Sequence, residues 1–245
     1  TDERPHVIAN FVQTTDGVVV FGERGGWNAA TVSMDSELDR RVMALLRARV
    51  DAIVIGAGTF RVARRHQWSP GGLVPDEAAA FDAHRAAADG GAVERAPLYV
   101  VTAAGDVDPA HAAFTTPETR VSILTTEAGA EALDGVLPAQ VEVLALGRGA
   151  TIGAAAIVQC IAARSGGLIL CEGGPTLLGD LLRAELVDEL FITQAPQLAG
   201  RDALHRRLGL VEGFAATPDE APRLQLHSLR RADDHLFLRY AVIGA

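Results

Sequence analysis

Apolar residues along this chain come in two rhythms: short runs that are continuous or alternate with polar residues, and longer stretches with apolar positions three and four apart. The first rhythm predicts strands and the second helices. His6 to Gln13 reads as an opening strand, which Thr15-Asp16-Gly17 turns into the valine run Val18 to Val20. Ser33 is placed to cap a helix, with Asp35 and Glu37 in its first turn, followed by Leu38, Val42, Leu45 and Leu46 at helical spacing. Ala52 to Ile55 then predicts a buried strand ending at Gly56-Ala57-Gly58-Thr59.

The alternation continues with strands at Leu98 to Val101, Val121 to Leu124 and Val141 to Ala145, and a short helix over 127–135. Ile152 to Ala163 predicts a helix with Ile152, Ala155, Ala156, Cys160 and Ala163 on one side, closed by Gly166-Gly167. Glu189 to Gln194 is the next strand, followed by Ala195-Pro196 and a long irregular stretch. Arg223 to Arg230 and Leu236 to Val242 then pair around Ala232-Asp233-Asp234-His235 as an antiparallel hairpin. Residues 61–96 fit least well: 76–88 suit a helix, but the flanks read as a surface excursion. Strands alternating with helices define an α/β protein with a mixed, mostly parallel sheet flanked by helices.

The bulk properties narrow this further. The 245 residues are enough for one sizeable core and contain no linker-like stretch, so residues 1–245 read as a single domain. No apolar run approaches the roughly eighteen residues of a membrane helix, and Thr1-Asp2-Glu3-Arg4-Pro5 lacks the zones of a signal peptide. A soluble cytoplasmic protein without membrane partners is expected. A net charge of −9 opposes a nucleic-acid-binding surface. All 22 basic residues are arginine, which excludes a Walker A lysine and any Schiff-base chemistry. Cys160 and Cys171 lie in apolar runs and read as inert core thiols, and the seven histidines show no ligand spacing, so no metal is expected.

The most telling stretch is 169–180, Ile-Leu-Cys-Glu-Gly-Gly-Pro-Thr-Leu-Leu-Gly-Asp. It predicts a strand, an acid at the strand's carboxyl end, a Gly-Gly turn, and a helix whose first position suits Pro175. Leu177, Leu178, Leu181 and Leu182 give that helix a buried stripe. Its uncapped amides favour an anion, with a pyrophosphate as the natural guest. Gly56 and Gly58 likewise permit close approach of backbone to a ligand, or simply make a tight strand-to-helix turn. Arg61, Arg64 or Arg65 could hold a ligand phosphate, or lie on a solvated loop.

These motifs come together in one likeness. Asn10 to Gly17, Gly22-Glu23 with Trp27, Leu45-Leu46-Arg47 to Thr59, Glu172 to Gly179, Leu186 to Leu190 with Ala195-Pro196 and Gly200, and Leu236 to Tyr240 follow one another in the order found in a known family. The chain resembles the pyrimidine reductases of riboflavin biosynthesis, the reductase domain of the bifunctional deaminase-reductase, which share the dihydrofolate reductase-like fold. The resemblance implies a C-terminal antiparallel hairpin on the sheet's edge, a homodimer, and NADPH as coenzyme. It places Gln13, Trp27, Thr59, Gly174, Pro175, Thr176, Leu177 and Leu178 on the coenzyme side; Gly173, Gly56, Gly58 and Arg61 join them from the reading above. Arg41 and Glu172 fall nearer the substrate.

The implied reaction delivers hydride to a C=N or C=O carbon, as when 5-amino-6-(5-phosphoribosylamino)uracil becomes a ribitylamine. Glu172 and Asp16 are the candidate catalytic acids, although Asp-Gly also serves as plain turn chemistry. Trp27 could wall a ring or fill a core. After Thr59 the family continues with two aspartates, a proline and a phosphate-binding arginine, whereas Phe60 to Trp68 has Ala63 at the aspartate position and no proline. No His-x-Glu is paired with Pro-Cys-x-x-Cys, so no deaminase domain is expected in these residues. Two other readings keep the nucleotide site: a dihydrofolate, pterin or imine reductase, and a regulatory protein that binds NADPH without turnover.

Overall fold

The structure, a computed structural model, describes residues 4–22, 29–88, 94–116, 119–205 and 207–244. In chain order the strands are β1 (His6–Thr14), β2 (Val18–Val20), β3 (Ala52–Gly56), β4 (Leu98–Val101), β5 (Val121–Thr125), β6 (Glu142–Ala145), β7 (Leu168–Cys171), β8 (Glu189–Ala195), β9 (Leu208–Gly209), β10 (Arg223–Ala232) and β11 (His235–Ile243). The helices are α1 (Ala29–Val32), α2 (Glu37–Arg49), α3 (Ala57–Val62), α4 (Pro70–Leu73), α5 (Ala78–Ala88), α6 (Glu127–Leu133), α7 (Ala154–Ser165) and α8 (Pro175–Arg183). They form a mixed, mostly parallel α/β architecture with antiparallel strands at the C-terminal end. The residues group into two compact units, Thr1–Pro5 with Arg40–Leu170, and His6–Asp39 with Cys171–Ala245.

In the first unit the strand order is β7-β3-β4-β5-β6. β3, β4, β5 and β6 run parallel, with Ile53 opposite Leu98 and Leu98 opposite Val121. Ile53, Ile55, Leu98, Val100, Ile123 and Leu124 are all at most 1% exposed. Such unbroken burial is what strands covered on both faces require, and it explains why these strands read as continuous apolar runs. The Asp51 carboxylate accepts the Leu168 amide at 2.8 Å, fixing where β7 begins.

Two helices bury a different face from the one their spacing predicts. Leu38 and Leu45 of α2 are exposed, while Asp39, Ala44, Arg47 and Ala48 are buried. Ala44 and Ala48 pack against Val74 and Phe81, with Leu73 beside them. The cap of α2 is Ser36, whose hydroxyl accepts the Asp39 amide at 3.3 Å; Ser33 instead donates to the Ala30 carbonyl in α1. In α7 the buried side chains are Ile157, Val158 and Ile161, and Ala155 and Ala163 face solvent. The branched aliphatics remove more apolar area from water than the alanines, so they set the helix's rotation.

Residues 61–96 are correspondingly more than a surface excursion. Phe60 and Trp68 are at most 3% exposed and stack at 5.7 Å. The His111 ring lies 3.7 Å from that of Phe60, almost parallel to it, and Phe114 closes the group at 5.4 Å. The His111 Nε2–H donates to the Phe60 carbonyl at 3.0 Å and its Nδ1 accepts the Ala113 amide at 3.1 Å. Both ring nitrogens are therefore satisfied by a neutral imidazole.

In the second unit the strand order is β10-β11-β8-β1. β1 runs parallel to β8, with Gln13 opposite Gln194, and β11 is antiparallel to β8. The hairpin of β10 and β11 turns at Asp233, whose φ of 49° is a conformation that aspartate tolerates better than most residues. β2 and β9 form a separate antiparallel ribbon. Val12, Val32 and Ala195 make a small core, with Phe21 packed against it.

Candidate active site

The start of α8 is built as the sequence foretells. Leu177, Leu178, Leu181 and Leu182 are all buried, and each such burial is worth about 1.5–3 kcal/mol. That apolar stripe fixes the helix axis and so aims its first turn. Gly174 is the N-cap, extended at φ −84° and ψ 180°, with no side-chain cap bond. Pro175 has no N–H, and the ladder opens with the Leu178 amide donating to the Gly174 carbonyl at 3.1 Å. The amides of Thr176 and Leu177 thus lie outside the intrahelical ladder and carry the positive end of the helix dipole. Leu177 and Leu178 can meet a ligand only through their backbone, since their side chains belong to the core.

Gly173, at φ 116°, makes the bend that Glu172 leads into, and the Gly173–Gly174 peptide is cis, which nothing in the sequence announces. Glu172 is half-buried just beyond the carboxyl end of β7. Cys171 before it is fully buried, and burial pushes its thiol up to about 12, leaving it unreactive.

Asp16 is more heavily engaged than a turn residue needs to be. Its Oδ1 accepts the Thr14 hydroxyl at 2.6 Å and the Ala199 amide at 3.0 Å, and its Oδ2 accepts the Gly200 amide at 2.7 Å. These donors, the Ala199 amide foremost, hold its carboxyl down to about 2. These three donors make the carboxylate a tether for the 199–200 backbone. Gln13 lies at the carboxyl end of β1, the strand that leads into the Asp16 turn, and is half-buried. Trp27, and Glu23 before it, lie outside the described residues.

The first unit carries the other candidates. Gly56 ends β3 and is the N-cap of α3, extended at φ −82° and ψ 153°. Gly58 is exposed, and a Cβ built on it would meet nothing within 4 Å, so no packing demands glycine there. Thr59 is half-exposed in the same helix. Arg61 is tied to the Asp106 carboxylate and carbonyl at 3.1 and 3.2 Å, and Arg64 sits 3.7 Å from Asp108. A 2′-phosphate at Arg61 would share the guanidinium with Asp106, which engages its Nη1. Arg41 bonds Glu77 at 2.7 and 2.8 Å. Of the acids at the start of α2, Asp39 is the buried one, 4% exposed at the third helical position.

Sequence reasoning missed Arg47, which is 2% exposed. Its guanidinium donates to the Gln67 carbonyl at 3.1 Å and to His66 Nε2 at 2.9 Å. Burial, and then the Arg47 charge, push the His66 imidazole down to about 3. The only signal was an arginine standing among apolar positions of α2, a pattern that also describes any snorkelling side chain.

Mostly parallel strands flanked by helices, C-terminal antiparallel strands and an amide-rich helix start after an acid place this molecule among the mixed α/β proteins. The sequence matches the RibD C-terminal domain family over residues 5–238, and the chain belongs to that family. This is the family to which the motifs pointed. The riboflavin biosynthesis protein RibD of Escherichia coli K12 is 40% identical over 77 residues, which are 31% of this chain and 20% of that protein. The fold is also similar to that of a Thermotoga maritima diaminohydroxyphosphoribosylaminopyrimidine deaminase/5-amino-6-(5-phosphoribosylamino)uracil reductase. The two are 16% identical with a TM-score of 0.70, covering 98% of this chain and 57% of that one. A pyrimidine reductase-like protein from Corynebacterium diphtheriae is 22% identical with a TM-score of 0.68, covering 98% of this chain and 93% of that one. The chain thus spans little more than half the length of the Thermotoga protein.

Proposed function

We propose that this chain is an NADPH-dependent reductase acting on a C=N or C=O carbon of a phosphoribosylamino-pyrimidine. The favoured substrate is 5-amino-6-(5-phosphoribosylamino)uracil or a close relative, and the product is the ribitylamino compound. The observation that carries the reading is the start of α8, where the Thr176 and Leu177 amides stand uncapped behind the Gly173-Gly174-Pro175 bend. That donor set fits a diphosphate, which needs converging N–H groups and gains from the helix dipole. Family membership supports the same coenzyme class.

A bound nicotinamide supplies the two electrons and the hydride. The chain's own part is to hold the phosphates on the α8 amides and to orient both ligands. Glu172 is the group proposed to orient the substrate or to hold the proton for its nitrogen. Gln13, Trp27, Gly56, Gly58, Thr59 and Arg61 are proposed coenzyme contacts and Arg41 a substrate contact, carried over from the family likeness and the turn chemistry. A homodimer is the proposed assembly.

The test is coenzyme consumption, followed by loss of NADPH or NADH absorbance with a panel of phosphoribosylamino-pyrimidines, dihydrofolate and cyclic imines. Turnover of a pyrimidine with NADPH preferred is the expected result. Consumption with dihydrofolate alone would make the chain a pterin reductase. Binding without consumption of either coenzyme would make it a nucleotide-binding regulator and end the enzymatic reading.

A further inference from the structure

The long irregular stretch after Pro196 is bonded to the rest of its unit at both ends. At the near end it is held by the Asp16 carboxylate through the Ala199 and Gly200 amides, and Arg201 returns two bonds, to the Asp16 and Gly17 carbonyls at 3.1 and 3.3 Å. Gln197 donates to the Val32 carbonyl at 2.6 Å and accepts the Thr15 amide at 2.9 Å. Arg207 donates back to the Ala199 carbonyl and lies over the Phe21 ring at 5.2 Å. Leu208 and Gly209 then form β9 against β2.

The far end lies on the first turns of α8. The Glu212 carboxylate accepts the Gly209 amide at 2.8 Å, while its own amide donates to the Pro175 carbonyl at 3.1 Å. A Cβ built on Gly179 would stand 2.1 Å from the Glu212 carbonyl oxygen, so the backbones are in direct contact there. A Cβ on Gly213 would touch Thr176 Cγ2 at 3.8 Å, and Arg183 donates to the Gly213 carbonyl. Pro175, Thr176 and Gly179 are therefore all backed by residues 212–213.

We propose that Asp16 is a positioning residue, the latch of a strap (residues 197–205 and 207–213) that sets the first turn of α8 and so the aim of the Thr176 and Leu177 amides. Asp16 acts at a distance, through backbone, and touches neither coenzyme nor substrate. Three amide or hydroxyl donors converge on one carboxylate at the near end, so losing its charge frees the strap where it is most dependent on a single side chain. This inference rests on the coenzyme reading above only for what the helix start binds; the coupling itself is a property of the fold.

Three variants of the full chain test it: Asp16→Asn, which sets an N–H against the Gly200 amide; Arg201→Ala, which cuts the near end without touching the carboxylate; and Gly179→Ala, which pushes the far end off. Hydrogen exchange should show lost protection at Ala199 and Gly200 in Asp16→Asn together with faster exchange at Leu178 and Gly179. Calorimetric NADPH Kd and steady-state KM should rise about tenfold, with kcat within about twofold, because the amides are misaimed while the reacting groups are untouched. Gly179→Ala should reproduce the weakened binding with Asp16 intact. Should Asp16→Asn fail to fold, Arg201→Ala carries the same expectation at smaller amplitude. Loosening confined to 199–201, with α8 exchange and NADPH affinity unchanged, overturns the proposal. If the unaltered protein binds no NADPH, the functional reading fails, while the exchange coupling between 199–200 and 178–179 still decides the strap.

Discussion

His66 and Arg47 form a pH-sensitive contact. His66 accepts a hydrogen bond from a buried guanidinium, so protonating it would set two cations against each other. Its imidazole is lowered from 6.5 to about 3, with burial the larger cause. Below pH 6.5 the unfolded chain takes up a proton that the native ring refuses, and stability therefore falls as pH falls toward 3. Allowing for the ring's partial exposure, we expect about 1–2 kcal/mol less stability at pH 5 than at pH 7.5 from this residue. His111, also lowered by burial and faced by Asp108 and Arg64, adds in the same direction. Asp16, held at about 2, loses its contribution only lower, as pH falls from its ordinary 3.8. The gap between the urea midpoints at the two pH values should narrow in His66→Gln, which keeps an acceptor for Arg47 but cannot titrate, and His111 should account for what remains. An unchanged pH slope in that variant would show that the contact does not carry the effect. Arg47 closes the Leu45-Leu46-Arg47 motif and His66 lies in the segment that departs from the family pattern, but only folding brings the two together, so the pair itself was not legible in the sequence.

At the scale of elements, boundaries read better than faces. β2, β4 and α8 fall where the apolar pattern places them, since Gly and Pro mark their ends. The rotations of α2 and α7 went unread, because a helix turns toward whichever neighbours offer the largest burial, and those neighbours are distant in sequence. α3 tests whether its own reading is right. Glycine in a helix costs up to about 1 kcal/mol relative to alanine, yet Gly58 is exposed with open space where a Cβ would stand. Gly58→Ala should therefore leave the melting temperature equal or higher. If a coenzyme approaches this backbone, the added methyl should weaken the NADPH Kd about tenfold, or about 1.4 kcal/mol. Raised stability with unaltered affinity would remove Gly58 from the coenzyme site and leave it as part of a strand-to-helix turn.

For the whole molecule, the alternation of strand and helix signals gave the fold class. It did not give the adjacency of β1 and β8, whose paired residues lie some 180 positions apart, as Gln13 and Gln194 show. Nor did it expose what the bulge in β10 does. The register shifts between Leu226 and Ser228, which returns Leu229 to the phase of Leu224 and Leu226. Those three leucines then stand opposite Val242, Tyr240 and Leu238, making one apolar face on the hairpin, while Arg223, Gln225, Ser228 and Arg230 take the other. Leu224, Leu226 and Leu229 are nevertheless 43%, 51% and 48% exposed, and β10 ends its strand order. A contiguous apolar face left half in water at a sheet edge is the kind of surface that an oligomer buries. The proposed homodimer is expected to cover it, in which case a charge at its centre is intolerable to the pair and harmless to the monomer. Leu226→Arg should sediment as a monomer with an unchanged circular dichroism spectrum, while Gln225→Arg on the opposite face should keep the dimer. A Leu226→Arg protein that retained the dimer mass would place the subunit contact elsewhere on the molecule.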